Sequence, residues 1–399
     1  MDNPSAVRIA GPLTTHVEGF CGYLAERGYP PESASLQLRL MAHLSWWLEA
    51  EGLQAKDLTT ARVEGFLGER RTAGYKYLLS SRAPVQLIGY LRGVGAISSP
   101  MTVPTPSEVL VGEYRRHLVV ERGLAPSTVR AYTTLAKNVL GRWGNPDAAG
   151  LVKVSAADVR ALTLERCRRS SLPSAKAFIT AFRSWLRFLN AEGLTSHDLA
   201  GAVPAVAGWR GGWIPRGLSK SEVAAVLGGV DLTTPVGLRD RAVMVLLARL
   251  ALRVGEVAKL SLDDIDWHRG EIVIHGKGTR RDRLPLPVDV GEALVAYLRH
   301  GRPPASCRAL FLRAHAPFVA LSSGGAGAIV AKAGQRGGIR ASAHRLRHSA
   351  ATAILRGGGS LSEVGQILRH ADVATSAIYA KVDYRSLGTL AQPWPGSAA

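Results

Sequence analysis

The sequence predicts a mainly α-helical protein with one small antiparallel β-sheet in its C-terminal part, an α+β architecture. Three observations predict this fold class. Apolar residues recur with helical spacing along most of the 399-residue chain, and two stretches rich in proline, glycine and serine interrupt that spacing. The β-branched segment GEIVIHGKGTRRDRLPLP, with a charged glycine-rich turn at its centre, follows only after the second interruption. A chain of this length exceeds a typical single core, so we expect several domains.

The two interruptions are predicted to be linkers. Proline breaks helices and glycine loosens the chain, and both are concentrated at 97–107 (ISSPMTVPTPS) and at 202–217 (AVPAVAGWRGGWIPRG). The predicted domains are an N-terminal helical module at 1–100, a second helical module at 105–205, a mixed domain at 215–390 and a tail at 391–399.

The first two domains resemble each other in sequence. ERGYPPES at 26–33 has a counterpart in ERGLAPST at 121–128, and each segment separates two helices with apolar periodicity. Ser33 and Thr128 are predicted to cap the helix that follows. We therefore predict two copies of one helical module; the alternative is that the likeness is one of composition alone.

The third domain combines helices with a β-hairpin. GLRDRAVMVLLARLAL has apolar residues on a helical period and predicts a buried helix. The β-branched segment after it predicts two strands with Lys277 at or near the tip of the turn that joins them. From Ser322 onwards the pattern returns to helices.

The charge of the chain indicates a polyanionic partner. Its formal net charge is +19, and arginine greatly outnumbers lysine. The planar guanidinium binds two phosphate oxygens at once, and the sequence has no basic amphipathic anchor, so nucleic acid is favoured over a membrane surface. Three scattered cysteines have no metal-ligand spacing, and no secretory signal or membrane span is evident. These features predict a cytoplasmic protein without a membrane partner.

Four stretches of the third domain carry polar residues that are unusual for a hydrophobic core. They are Arg253 with Glu256 in ALRVGEVAKL, Lys277 in the hairpin, His344 with Arg347 and His348 in AHRLRHSAA, and His370 with Tyr379 in RHADVATSAIYAKV. In AHRLRHSAA the spacing of i, i+3 and i+4 predicts that the three side chains share one face of a helix.

Each stretch alone also has a purely structural interpretation. Arg253 would form a surface ion pair with Glu256, the hairpin lysine would be solvated, and Tyr379 would pack in a core. The histidines of HRLRH could bind zinc, but the glutamate of the H-E-x-x-H motif is absent and neighbouring arginines disfavour a dication. The aspartates of LDDIDW could hold magnesium, although a polar turn before the strand is the preferred interpretation.

Together the residues suit attack on a phosphodiester. Two arginines can neutralise the charge that develops on the phosphoryl oxygens, which replaces the electrostatic role of a metal ion. A lysine can protonate the leaving oxygen, histidines can handle the nucleophile's proton, and a tyrosine can form a covalent phosphoester. We therefore expect an enzyme that needs neither a metal nor another cofactor.

In order and local sequence, these motifs resemble the tyrosine recombinases, also called the phage integrase family. The resemblance covers 215–390, and 105–205 is similar to the helical core-binding domain of that family, a SAM-like DNA-binding domain. Residues 1–100 match no part of the pattern; their repeat with 105–205 and the basic run GERRTAGYKYLLSSR suggest an extra DNA-contacting or assembly module. The family usually has glycine where this chain has Arg369, so a different turn is expected there, because arginine adopts positive φ less freely.

The resemblance implies roles for six residues. Arg253 and Arg347 would clamp the scissile phosphate, Lys277 would protonate the departing 5′ oxygen, and His344 and His370 would assist proton transfer and hold the phosphate. Tyr379 would become linked to the 3′ end of the DNA.

It also implies partners and a setting. These are a double-stranded DNA recombination site, a homotetramer in the synaptic complex, an accessory recombinase or directionality factor, a nucleoid location and a mobile genetic element. Integration, excision and transposition all remain open, as do two alternatives, a type IB topoisomerase-like relaxing enzyme and a DNA-binding protein without catalysis.

Overall fold

The computed structural model describes residues 7–97, 104–207, 217–276, 280–369 and 379. The chain forms two compact units, one from residues 101–212 and the other from residues 1–100 together with 213–399. None of the described helices is long and apolar enough to cross a membrane. Helices dominate both units, and one three-stranded sheet lies in the larger unit, as the sequence predicts.

Over residues 7–97, the N-terminal module is a bundle of four α-helices. They are α1 (Val17–Glu26), α2 (Pro31–Ala50), α3 (Thr60–Thr72) and α4 (Val85–Gly93). Apolar side chains on the inner faces of these helices form one core, with Phe20, Leu38 and Phe66 almost fully buried. This module therefore has a hydrophobic core of its own.

The second module forms the smaller unit. Its helices are α5 (Pro106–Arg116), α6 (Pro126–Arg142), α7 (Ala148–Val152), α8 (Ala156–Arg168) and α9 (Leu172–Ala191). Tyr114, Phe182 and Trp185 are fully buried at the centre of its core. The hydroxyl of Tyr114 donates a hydrogen bond to Ser184 Oγ at 3.0 Å, so its polar end is satisfied.

The two modules share an interhelical contact at corresponding helix positions. In the first, Trp47 Nε1 on α2 donates to Glu69 Oε2 on α3 at 2.8 Å. In the second, Arg142 on α6 donates to both carboxylate oxygens of Glu165 on α8, at 2.9 and 2.8 Å. Since α3 and α8 each have 13 residues, the contacts occupy matching places. The two modules thus share this contact in addition to the likeness of sequence.

The predicted helix caps of both modules were wrong. Helices α2 and α6 begin at Pro31 and Pro126, so Ser33 and Thr128 lie inside the first turn and do not cap it. Proline suits the first helical position because its φ is already helical and it has no N–H group to satisfy there.

The larger unit also contains the third domain, built around α11. Its helices are α10 (Lys220–Gly228), α11 (Pro235–Arg249), α12 (Val254–Val257), α13 (Val288–His300), α14 (Ser323–Arg336), α15 (Ala343–Arg356) and α16 (Leu361–Ile367). Five consecutive residues of α11, from Val243 to Leu247, are almost fully buried. The predicted buried helix is therefore the centre of this domain.

The sheet of the third domain is antiparallel in the order β1-β2-β3. Strands β2 (Glu271–His275) and β3 (Arg281–Pro285) form the predicted hairpin, with Val273 opposite Arg283. Strand β1 (Ile265–Asp266) was not predicted, because two residues are too short for a recognisable alternation.

The aspartates of LDDIDW have structural partners around this sheet. Asp263 pairs with Arg308, and Asp264 Oδ1 lies 2.7 Å from His275 Nε2. Asp266 Oδ1 accepts hydrogen bonds from two N–H groups of the turn before β2. These contacts agree with the polar turn preferred from the sequence.

The N-terminal module contacts the third domain through a glycine turn. The N–H of Phe318 donates to the Arg27 carbonyl at 3.1 Å, and the Phe318 ring covers Gly28. Gly28 has φ of +75°, and a Cβ at this position would overlap the ring, so the contact requires glycine. The larger unit is held together in part by this seam.

Candidate active site

Arg253 lies at the start of α12, where its side chain meets a buried carboxylate. The predicted helix GLRDRAVMVLLARLAL ends at Arg249, earlier than expected, so a short loop separates it from Arg253. The backbone N–H of Arg253 donates to Glu256 Oε2 at 2.7 Å, and its guanidinium donates to Oε1 at 2.8 Å. The Arg253 side chain is 47% exposed and that of Glu256 only 6%, so the ion pair leaves a guanidinium accessible to a ligand.

Arg347 is buried on α15 and ties two loops together. Its guanidinium donates to the carbonyl oxygens of Ala251 and Leu368. Burial lowers the pKa of Arg347 to about 10, and the charges of Arg253 and Arg369 act in the same direction. A pKa of about 10 still leaves the guanidinium protonated at neutral pH by roughly a thousand to one. The site therefore retains a charge that its surroundings disfavour.

Arg369 occupies the place where the family usually has glycine. Its φ is +51°, so the left-handed turn is kept and the expected change of turn was wrong. The side chain is buried and donates to Glu256 Oε2 at 2.7 Å, with its Nε 4.0 Å from Asp282 of β3. This buried ion pair offsets the cost of positive φ, which is about 1–2 kcal/mol for a residue with a Cβ.

Glu256 is thus the one carboxylate that two of these arginines share. Burial acts to raise its pKa, but the N–H of Arg253 and the charge of Arg369 outweigh burial, and the pKa of Glu256 is lowered. Three guanidiniums surround this group: those of Arg253 and Arg369 by direct contact and that of Arg347 through its charge. The cluster carries an excess of positive charge, which suits an anionic ligand.

Tyr379 is buried against α15 with its hydroxyl on a histidine. It is 2% exposed and packs in a small apolar cluster with Ala251, Leu355 and Leu368. Its Oη lies 2.6 Å from Nδ1 of His348. Burial raises the pKa of Tyr379, although the charge of Arg347 acts to lower it. The phenol is therefore protonated at neutral pH.

The three polar residues of α15 share the predicted helix face. The rings of His344 and His348 are 4.2 Å apart in an edge-to-face arrangement. Desolvation lowers the pKa of His344, and the charge of Arg347 lowers it further. His344 is therefore neutral at pH 7 and can accept a proton or donate one hydrogen bond.

Of the six residues predicted from the sequence, four have described positions. The structure gathers Arg253, Arg347 and Tyr379 around the Glu256 cluster, with His344 next to His348 on α15. Lys277 and His370 lie outside the described residues, so their roles remain predictions. Within the described ranges, no three His, Cys, Asp or Glu side chains are placed to hold a metal ion.

Two further residues of the site were not assigned a role from the sequence. His348 was noted as part of the HRLRH face, and its i+4 spacing from His344 was the available signal. Arg369 was noted only as a departure from the family pattern. Its ion pair joins residues 113 apart in the chain, which no local pattern reveals.

The chain is similar to known protein families and sequences. Residues 217–386 match the Phage integrase family, and residues 111–193 match the "Phage integrase, N-terminal SAM-like domain" family. The chain is 39% identical to "Putative integrase/recombinase y4rA" of Sinorhizobium fredii (strain NBRC 101917 / NGR234), over 97% of this chain and 96% of the relative. That match includes most of residues 1–100, because so little of the chain lies outside it.

A second relative and two solved structures match a smaller share of the chain. The protein is 34% identical to "Tyrosine recombinase XerD" of Mycobacterium tuberculosis (strain ATCC 25618 / H37Rv), over 71% of this chain and 95% of the relative. The XerH site-specific recombinase bound to a palindromic difH substrate is similar in fold, with TM-score 0.54, 18% identity and coverage of 72% of this chain and 97% of that one.

A lambda integrase (75–356) dimer bound to a COC′ core site has TM-score 0.52 and 18% identity, over 69% of this chain and 94% of that one. The two solved structures support the fold, and the family rests on the sequence matches. The chain belongs to the phage integrase family and is a tyrosine recombinase, an enzyme of site-specific DNA cleavage and strand transfer.

Proposed function

We propose that this protein cleaves and rejoins double-stranded DNA at a specific site by forming a covalent bond between Tyr379 and a 3′ phosphate. The observation that carries the proposal is the guanidinium cluster of Arg253, Arg347 and Arg369 beside a buried tyrosine. A scissile phosphate would neutralise the excess positive charge and offset the desolvation that lowers the pKa of Arg347.

In this reaction the position of each residue determines its proposed role. Arg253, with an exposed guanidinium, and Arg347, held rigid by two carbonyl groups, would contact the non-bridging oxygens. Tyr379 would attack phosphorus, and Lys277 would protonate the departing 5′ oxygen. His344 and His370 would assist proton transfer and phosphate binding, as the family resemblance implies.

A nicked duplex that carries the recombination site tests the cleavage proposal. Cleavage next to the nick releases a short fragment, so the protein stays attached to the DNA and migrates as a slower band on a denaturing gel. We expect this band to form at the same rate in excess chelator, because arginines supply the electrostatic stabilisation. Loss of the band in chelator and its return with magnesium would contradict the metal-free mechanism.

We also propose the assembly and the setting. A homotetramer on two paired sites is supported by the solved lambda integrase tetramer bound to a Holliday junction, which this chain resembles in fold. The y4rA relative is named as an integrase/recombinase, which supports a role in DNA integration. The proposed setting is a mobile genetic element in the cytoplasm, at the nucleoid. Light scattering of the protein with and without the nicked duplex would measure this assembly.

The N-terminal module is proposed to contact DNA. Fewer residues of the basic run GERRTAGYKYLLSSR are available for this contact than the sequence suggested. Arg70 is buried, with its guanidinium 4.1 Å from the ring centre of Tyr75, and Arg71 donates to the Leu79 carbonyl. The guanidinium groups of Arg70 and Arg71 therefore make contacts inside the module. The residues that remain available are Lys76, Tyr77 and Arg82, and Tyr77 is 75% exposed.

We expect the triple variant Lys76→Ala, Tyr77→Ala and Arg82→Ala to shorten the DNA footprint. It should also flatten the fall of log affinity with log salt by about 0.9 for each phosphate that the module no longer neutralises. Deletion of residues 1–100 should do the same more strongly, and a pre-nicked site should still be cleaved slowly. Footprinting and binding titrations over a range of salt concentrations measure both effects.

The deletion also uncovers Phe318, which needs its own control. Phe318→Ser in the full chain weakens the contact with Arg27 and Gly28 but keeps the module. The same substitution in the deletion variant removes the apolar ring that the deletion would expose. An unchanged footprint and salt slope after deletion would instead assign residues 1–100 to contacts between subunits.

A further inference from the structure

The phenol of Tyr379 needs a proton acceptor, and one residue is in place for that role. Tyr379 is almost fully buried, so bulk water does not supply the acceptor. The polar atom at its Oη is Nδ1 of His348, at 2.6 Å. The family resemblance assigns proton handling to His344 and His370, and neither of those assignments explains this contact.

The position of His348 is fixed by its helix. It follows Arg347 directly on α15, is itself buried, and has its ring centre 5.5 Å from that of Tyr379. The phenol has one hydrogen, and it donates to Nδ1 when the imidazole carries its own hydrogen on Nε2. In that tautomer the hydrogen bond points along the path that the proton would follow.

We propose that Nδ1 of His348 accepts the phenolic proton of Tyr379 as Oη attacks the scissile phosphorus. This inference rests on the proposed function. In the step, the Oη–P bond forms and the P–O5′ bond breaks. The electron pair of the broken bond leaves with O5′, which takes a proton from the general acid, while the phenolic proton moves to Nδ1.

The charges of the site explain why transfer occurs only with DNA bound. Burial raises the pKa of Tyr379, so the proton stays on the phenol while the phosphate site is empty. A bound phosphate gains negative charge in the transition state and stabilises the imidazolium that forms. During rejoining the same proton returns to the tyrosine oxygen as O5′ displaces it.

Two substitutions separate proton acceptance from positioning. His348→Ala removes the imidazole, whereas His348→Asn keeps a hydrogen-bond acceptor near the place of Nδ1 but cannot take a proton at neutral pH. We expect both variants to slow covalent-complex formation in single turnover by about 100-fold or more. DNA affinity and melting temperature should stay near wild type, at least for the asparagine variant. A wild-type rate for either variant would overturn the proposal, and for asparagine it would show a positioning role.

A modified substrate shows whether His348 acts on the attacking tyrosine or on the departing 5′ oxygen. When sulfur replaces the bridging 5′ oxygen, the thiolate leaves without a proton, so a defect in the general acid is rescued. We expect rescue of Lys277→Ala and none of His348→Asn. Rescue of His348→Asn would place the residue on the leaving-group side and overturn the proposal.

The wild-type protein distinguishes this inference from the proposed function. If wild type forms no DNA-linked band, or if Tyr379→Phe forms one, cleavage by Tyr379 itself is wrong. If wild type forms the band and the His348 variants match its rate, only the role of His348 is wrong.

Discussion

Tyr379→Phe is expected to bind DNA with near wild-type affinity and to form no covalent complex. The substitution removes only Oη, the atom that would bond to phosphorus, and phosphate contacts supply most of the affinity. The apolar neighbours of Tyr379 accommodate phenylalanine, so the loss of one hydrogen bond to His348 should cost about 1 kcal/mol of stability. A nicked duplex and a denaturing gel measure the covalent band, and a binding titration measures affinity.

Tyr114→Phe is the matched control for that variant. It deletes the same atom from a fully buried tyrosine in the core of the second module, whose hydroxyl donates one hydrogen bond to Ser184, and it should leave the covalent band unchanged. A DNA-linked band from the Tyr379 variant would show that another residue is the nucleophile.

The second large effect is expected from Arg347→Ala. Loss of the guanidinium removes one clamp on the phosphate and should slow covalent-complex formation by about 100- to 1,000-fold. It also leaves the carbonyl groups of Ala251 and Leu368 without their donor, so stability should fall by about 1–3 kcal/mol for each unsatisfied group. Single-turnover cleavage and denaturant unfolding measure the two consequences separately.

Arg347→Lys separates charge from geometry at this position. Lysine keeps the positive charge but lacks the planar fork that serves two carbonyl groups, so it should restore little of the rate. Arg356→Ala removes the same charge from an exposed site on α15 and should have little effect on either measurement. A near wild-type rate for Arg347→Ala would exclude Arg347 from the phosphate site.

The helices and the hairpin followed from local sequence patterns, because periodicity and turn composition act over a few residues. Helix α11 and strands β2 and β3 were found in this way. Strand β1 was missed because two residues carry no periodicity, and the starts of α2 and α6 were misplaced because proline was read as a breaker instead of a first helical residue.

The candidate site was predictable in its residue types but not in its connections. Two arginines, a lysine, histidines and a tyrosine together were enough to propose phosphoryl chemistry. The donation from Arg347 to the Leu368 carbonyl and the pair of Arg369 with Glu256 depend on how distant segments pack. Such contacts have no local sequence signature, which is why His348 and Arg369 received no role.

Arg369 fixes the turn in which it lies. A glycine at this turn would act as a free hinge, whereas Arg369 anchors the turn to Glu256 inside the protein. Moving residue 369 away would break a buried ion pair, at a cost on the order of 3 kcal/mol. The arginine therefore makes this turn a rigid joint, fixed to α12 through Glu256.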